Sequence, residues 1–216
     1  MVSADTKTTI LDAAEELFAE HGFAATSLRQ LTARAGVNLA AVNYHFGSKE
    51  QLAQAVLARR IEPIQAERQR RLDALERPAT LEHVLRAFVE PAMRGPEPGA
   101  HATGERPASG FCRLFGRLSV EQPPFLRDFI ARQFRSMADR FLAMLAEAAP
   151  GADPATLWWR MHFVVGAMAH TLQNAHVLGS VSRGRCDPDD HDGIVEQLIA
   201  FAVGGLQSPA PQEVPR

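Results

Sequence analysis

Cysteine and tyrosine are scarce in this chain, with two of the former, Cys112 and Cys186, and a single Tyr44 among 216 residues. The cysteines stand far apart and form no CxxC or Cys/His ligand spacing. This argues against a disulfide framework or structural zinc and leaves two free thiols expected in a reducing cytoplasm. Apolar runs all break well short of the roughly 18 residues that a membrane-spanning helix needs, and no charged-then-apolar leader opens the chain. A soluble intracellular protein with no membrane partner is expected. HExxH, GxSxG, P-loop and dinucleotide fingerprints are all missing, and His162, His170 and His176 are not at the i, i+4 spacing that puts two imidazoles on one metal. These absences exclude the common catalytic frameworks, and no catalytic residue, metal or cofactor is expected. Strand-like alternation is missing too, which leaves an all-α protein.

One further absence is local. Between Thr26 and Lys49 there is no Asp or Glu, although Arg29, Arg34 and Lys49 are present and the whole chain carries a net charge of -2. A compact stretch without anions is the kind of electrostatic footprint that a polyanion recognises and that a whole-chain average conceals.

What is present is a succession of amphipathic helices. Ile10, Ala14, Leu17 and Phe18 make one apolar face after a cap at Asp5, ending at His21-Gly22. Thr26-Ser27 starts a short second helix with Gln30 placed for a capping box, and Gly36 ends it. Asn38 caps a third helix that runs to about Tyr44 or His45, and Ser48 caps a long fourth helix that Pro63 is expected to kink or divide. Two short helices joined by a tight glycine turn form a helix-turn-helix, whose second helix enters the major groove of DNA. Asn38, Asn43 and Tyr44 supply polar groups for base edges, Ala40 and Ala41 let the helix lie close to the groove wall with Leu39 among the DNA-facing residues, and Val42 and Phe46 turn back into a core. Lys49 and the pair Thr26-Ser27 sit at helix starts, where backbone N–H groups already favour phosphate; Arg29 is placed to reach phosphate or a base edge, and His45 is either a phosphate contact or a hydrogen-bonded packing histidine at the helix end.

The run TSLRQLTARAGVNLAAVNYHFGSKEQL, from Thr26 to Leu52, closely resembles the DNA-binding signature of the tetracycline-repressor (TetR) family of bacterial transcriptional regulators. Tyr44, His45, Phe46 and Lys49 match that signature, whereas Asn43 stands where the family usually has an aromatic and Asn38 where it has a small hydroxyl residue. The resemblance implies a ligand-responsive repressor, bacterial, cytoplasmic and nucleoid-associated, that binds a palindromic operator in double-stranded DNA as a homodimer. It implies a three-helix head over residues 1–52, a helical effector-binding and dimerisation domain over 53–206, and a flexible tail over 207–216.

Further helices are expected over 81–93, 110–120, 124–149, 154–178 and 188–206, with Asp187 as cap and Pro188 at the first position of the last, and a long Pro/Gly loop over 94–109. The stretch from Leu157, LWWRMHFVVGAMAHTL, resembles fatty-acid-responsive members of the TetR family more than drug-responsive ones. That likeness implies an apolar effector such as a fatty acid or acyl-CoA, bound among Phe111, Phe115, Phe134, Met137, Phe141, Trp158 and Gly166, with Arg113, Arg117 or His162 meeting its head group. A drug-responsive repressor of an efflux gene is the alternative, ahead of a helical enzyme or a scaffold without DNA affinity. Gly166, Ala167, Ala169 and Ala175, together with Ile194, Leu198 and Phe201, are the expected dimer contacts.

Overall fold

The computed structural model describes residues 4–94, 114, 116–118 and 120–209. Its helices are α1 (Ala4–His21), α2 (Leu28–Ala35), α3 (Leu39–Phe46), α4 (Lys49–Asp73), α5 (Leu81–Arg94), α6 (Pro124–Ala148), α7 (Pro154–Val181) and α8 (His191–Gln207). No strand occurs among the described residues, and the protein is all-α.

The helix boundaries follow from local chemistry. Ser27 Oγ accepts from the Gln30 backbone N–H at 3.2 Å while Gln30 Oε1 accepts from the Ser27 N–H at 2.7 Å, a complete capping box. Gly36 ends α2 at φ 65°, a left-handed position that side-chain-bearing residues enter at a cost, and its N–H reaches back to the Thr32 carbonyl. Asn38 Oδ1 accepts from Ala41 N at 2.9 Å to start α3, and Ser48 Oγ accepts from Gln51 N at 3.1 Å to start α4. Pro63 does not divide α4, which continues through it as one helix. An interior proline removes one N–H donor and crowds the carbonyl four residues back, and ion pairs flank this one on both sides. Arg59 and Arg60 reach Glu15 on one side of it, and Arg70 and Arg71 reach Glu67 on the other.

The last helix starts later than its sequence implies. Asp187 Oδ1 accepts from Asp189 N, which closes a turn around Pro188, so Asp190 becomes the cap through a 2.9 Å bond from Gly193 N to its Oδ1. Pro188 lies outside the helix.

The chain divides into two compact units, Met1–Pro63 with Gly104–Arg135, and Ile64–Thr103 with Ser136–Arg216. The expected head, residues 1–52, lies inside the first. Its core joins Phe18, Leu31, Val42 and Leu57 to Leu114, Leu118 and Phe129, so a segment a hundred residues downstream completes it. Fully burying one such side chain contributes about 1.5–3 kcal/mol. In the second unit α5 supplies Val84, Leu85 and Phe88, against Phe141 and Leu145 of α6, Met161 and Val164 of α7, and Val195 and Ile199 of α8.

Candidate nucleic-acid interface

Helix α3 has two faces that its length and caps fix. Val42 and Phe46, one turn apart, are buried, and the opposite side presents Leu39, Ala40, Asn43 and Tyr44, the last 81% exposed. Tyr44 therefore stands in water on the side of the helix opposite the buried Val42 and Phe46. Asn38 is exposed as well; its side-chain oxygen accepts the capping bond, and its NH2 is left to donate outward. His45 is half-buried, its ring between those of Tyr44 and Phe46, and its Nε2 is buried with no hydrogen-bond partner.

The flanking cations are held in different ways. Arg29 is exposed and has no ion-pair partner among the described residues. Arg34 is drawn back onto α1 by Glu16 at 2.7 Å. Lys49 reaches the Ala24 carbonyl at 3.5 Å and rests over the Phe23 ring at 4.3 Å from its centroid. Partial burial pushes its pKa below the usual lysine value, against the opposing pull of Glu50 and Glu121.

Thr26 departs from its expected phosphate role. It is 1% exposed, and its hydroxyl donates to the carbonyls of Gly22 at 2.7 Å and Leu17 at 3.2 Å. The side chain ties the end of α1 to the start of α2 and has no donor left for DNA. Ser27, next to it, is exposed, and its hydroxyl donates to Gln30 Oε1 at 2.8 Å.

Sequence reasoning missed a carboxylate that approaches this region in space. Glu121 accepts from the N–H groups of Phe23 at 3.1 Å and Ala24 at 2.8 Å, against Gly22, where any Cβ would meet its Oε1 at 2.0 Å. One turn earlier, Arg117 donates to the carbonyls of Ala19 at 3.1 Å and of Glu20. The pair covers the C-terminal carbonyls of α1 and the amides just after it, which a helix end leaves without intrahelical partners. Nothing in the local sequence around 117–121 announces this.

The described effector candidates fall in separate places. Phe111, Arg113 and Phe115 lie outside the described residues, as does Cys112. Arg117 is spent on α1, and Phe134 packs against the core of the first unit. Phe141 is fully buried in the second unit, with Met137 packed against the same cluster. Trp158, His162 and Gly166 are exposed on α7, because that helix buries Leu157, Met161, Val164 and Met168 and turns the adjacent face outward. Its apolar composition all round hid which stripe would be covered. The same face carries Trp159 (63% exposed) and Phe163 (59%), and with Phe201 of α8 (65%) they border a groove of about 650 Å³ floored by Val164, Ala202 and Leu206. Of the expected dimer contacts, Gly166 and Phe201 are exposed, whereas Leu198 and Ala175 are buried within the chain.

Among the described residues no group of His, Cys, Asp or Glu is placed to hold a metal ion, and no helix is long and apolar enough to cross a membrane. Cys186 is a free, exposed thiol.

A capped two-helix motif with a left-handed glycine turn, presenting amide and phenol groups from an outward face, defines a helix-turn-helix protein of the DNA-reading class. Two family models match the chain, one described as bacterial regulatory proteins of the tetR family over residues 10–56, the other as the tetracyclin repressor-like C-terminal domain over residues 86–205. The chain belongs to the TetR family of transcriptional regulators. It is similar to the HTH-type transcriptional repressor Rv3405c of Mycobacterium tuberculosis, 58% identical over 48 residues, which make up 22% of this chain and only 26% of that protein. Among solved structures, it shares its fold with the fatty acid degradation regulator FadR from Bacillus halodurans (TM-score 0.67, 15% identity, 96% of this chain and 99% of that one). It also shares it with SmeT, the repressor of the Stenotrophomonas maltophilia multidrug efflux pump SmeDEF (TM-score 0.60, 23% identity, 98% and 100%).

Proposed function

We propose that this protein is a repressor that binds a palindromic operator in the bacterial cytoplasm as a homodimer and is controlled by a small apolar effector of the acyl type. The observation that carries the DNA reading is the outward face of α3, where Asn43 and exposed Tyr44 stand opposite buried Val42 and Phe46. In this reading Asn43 and Tyr44 contact base edges, and the small Ala40 lets the helix lie close in the groove, with Leu39 on the same face. Arg29, Lys49 and the start of α2 at Ser27 hold phosphates and fix the register. Residues 1–52 contact DNA, and residues 53–206 carry the effector and dimer contacts.

The dimer reading draws support from Trp159, Phe163 and Phe201, large apolar groups that a lone chain leaves in water. The acyl reading draws support from the apolar body of the second unit and from the fold shared with a fatty acid degradation regulator. The likeness to an efflux-pump repressor keeps a drug effector as the competing reading. Operator affinity is to be titrated against salt on promoter-length duplex, then remeasured at fixed salt with long-chain fatty acids, acyl-CoA esters and planar cationic drugs. Affinity that falls with log salt supports the regulator; a response to cationic drugs alone refutes the acyl effector and leaves the repressor standing.

A further inference from the structure

Arg68 lies on α4 in the second unit and is 3% exposed, the most deeply buried charged side chain among the described residues. Its Nε donates to the Phe88 carbonyl at 2.8 Å and its Nη1 to Gln65 Oε1 at 3.2 Å, and the guanidinium carbon stands 3.8 Å from the centroid of the Phe88 ring. Both acceptors are neutral. No carboxylate pairs with it among the described residues, in contrast to its neighbours in the same unit. Arg71 has Glu67 and Glu90, Arg86 has Glu196 and Glu82, and Arg140 has Asp73.

A buried guanidinium without a counter-charge is costly, and leucine or methionine would fill the same space without that cost. Burial alone pushes its pKa down to about 9, so the group is still charged at neutral pH. The surroundings are apolar in one direction. Phe88 meets Phe141 edge-on at 4.7 Å, and Met137 is one turn before Phe141 on α6 and packs on the same cluster. A cation at one end of an apolar wall is the arrangement that suits an amphiphilic anion, since a planar guanidinium takes a carboxylate through two parallel hydrogen bonds.

We infer that Arg68 anchors an organic anion in the second unit: the carboxylate of the effector pairs with its guanidinium, and the apolar body of the effector lies along Phe88, Phe141 and Met137. This rests on the reading that the second unit binds an effector and names the chemistry it selects. The anchor differs from Arg113, Arg117 and His162, the head-group partners expected from sequence.

The test is calorimetric titration of the full-length protein at neutral pH with two acids and their alcohols, decanoate against 1-decanol and 2-naphthoate against 2-naphthalenemethanol. At least one acid is expected to bind about ten- to hundredfold more tightly than its alcohol, the range of a charge-assisted pair. Arg68→Met is expected to erase that preference while leaving the alcohol's affinity in place, and Arg68→Lys to reduce it. If Arg68→Met fails to fold by circular dichroism, the acid-to-alcohol ratio of the unaltered protein and the Arg68→Lys variant still decide. Equal binding of acid and alcohol, or a preference that survives Arg68→Met, overturns the anchor while the effector reading stands. Binding of none of the four overturns both.

Discussion

The Lys49 ammonium stands over the Phe23 ring, 4.3 Å from its centroid, and so bridges the start of α4 to the loop that follows α1. A cation pre-positioned on an aromatic face loses less freedom when it meets a phosphate than one on a free side chain. Lys49→Ala is expected to weaken binding to all DNA sequences alike and to reduce the slope of log affinity on log salt by about 0.9 per half-site. Lys49→Arg is expected to keep the slope. Filter binding or fluorescence anisotropy across a salt series reads both, and an unchanged slope in Lys49→Ala rejects the phosphate contact.

Thr26 and Ser27 are neighbours, one buried and one exposed. Thr26→Val removes a buried hydroxyl that ties the Gly22 and Leu17 carbonyls, so it is expected to lower stability by about 1–3 kcal/mol without changing the salt slope. Ser27→Ala loses the capping box, costing about 0.5–2 kcal/mol. Urea denaturation with parallel DNA titrations separates the two. A reduced salt slope in a folded Thr26→Val protein would contradict the inward hydroxyl.

Asn43→Ala is expected to cost about 1–3 kcal/mol per half-site on the preferred operator and to relax discrimination at one base pair. Selection of binding sites from random duplexes, carried out with variant and parent, checks it; identical selected sequences would rule out readout by Asn43.

Acid sensitivity follows from Glu67. Hydrogen bonds from Arg70 and then Arg71 hold its carboxyl down at about 2, against an ordinary 4.5. The unfolded chain therefore takes up this proton first as pH falls. The stabilisation is complete above 4.5 and is lost between 4.5 and about 2. Glu67→Gln lacks it, so its stability is expected to fall less steeply through that window, by up to about one proton's worth of slope. Parallel curves for the two proteins in pH-dependent denaturation would contradict it.

Phe163→Glu combined with Phe201→Glu places charge on both helices of the exposed apolar face. The variant is expected to sediment as a monomer with native helicity and to bind a palindrome no better than a single half-site. A dimer of unchanged affinity would move the interface elsewhere.

Local chemistry made much of the motif legible in the sequence. Ser27 with Gln30, Gly36, Asn38 and the Val42–Phe46 spacing fix the caps, the turn and the faces of α2 and α3 within a few residues of each other. The long-range partners were hidden. Glu121 lies 97 residues from the Ala24 amide it accepts from, and it puts a carboxylate close to a stretch that contains none of its own. Arg68 sits in the run ERQRRLD, where the sequence gives no sign that one arginine is buried while those at 70 and 71 find carboxylates. The start of α8 moved because Asp187 and Asp190 compete as caps, and the proline between them closes a turn instead.

The participation of Leu114, Leu118, Arg117 and Glu121 in the first unit bears on how such regulators can be recombined. A chimera that takes residues 1–52 from this chain and everything after from another family member would replace the side chains that close the core and cover the end of α1. The transplantable piece is discontinuous: the first 63 residues together with the stretch through 135. Operator specificity would pass to a foreign regulator only when both are carried across, or when the surface of α3 alone is rewritten on a host that keeps its own closure.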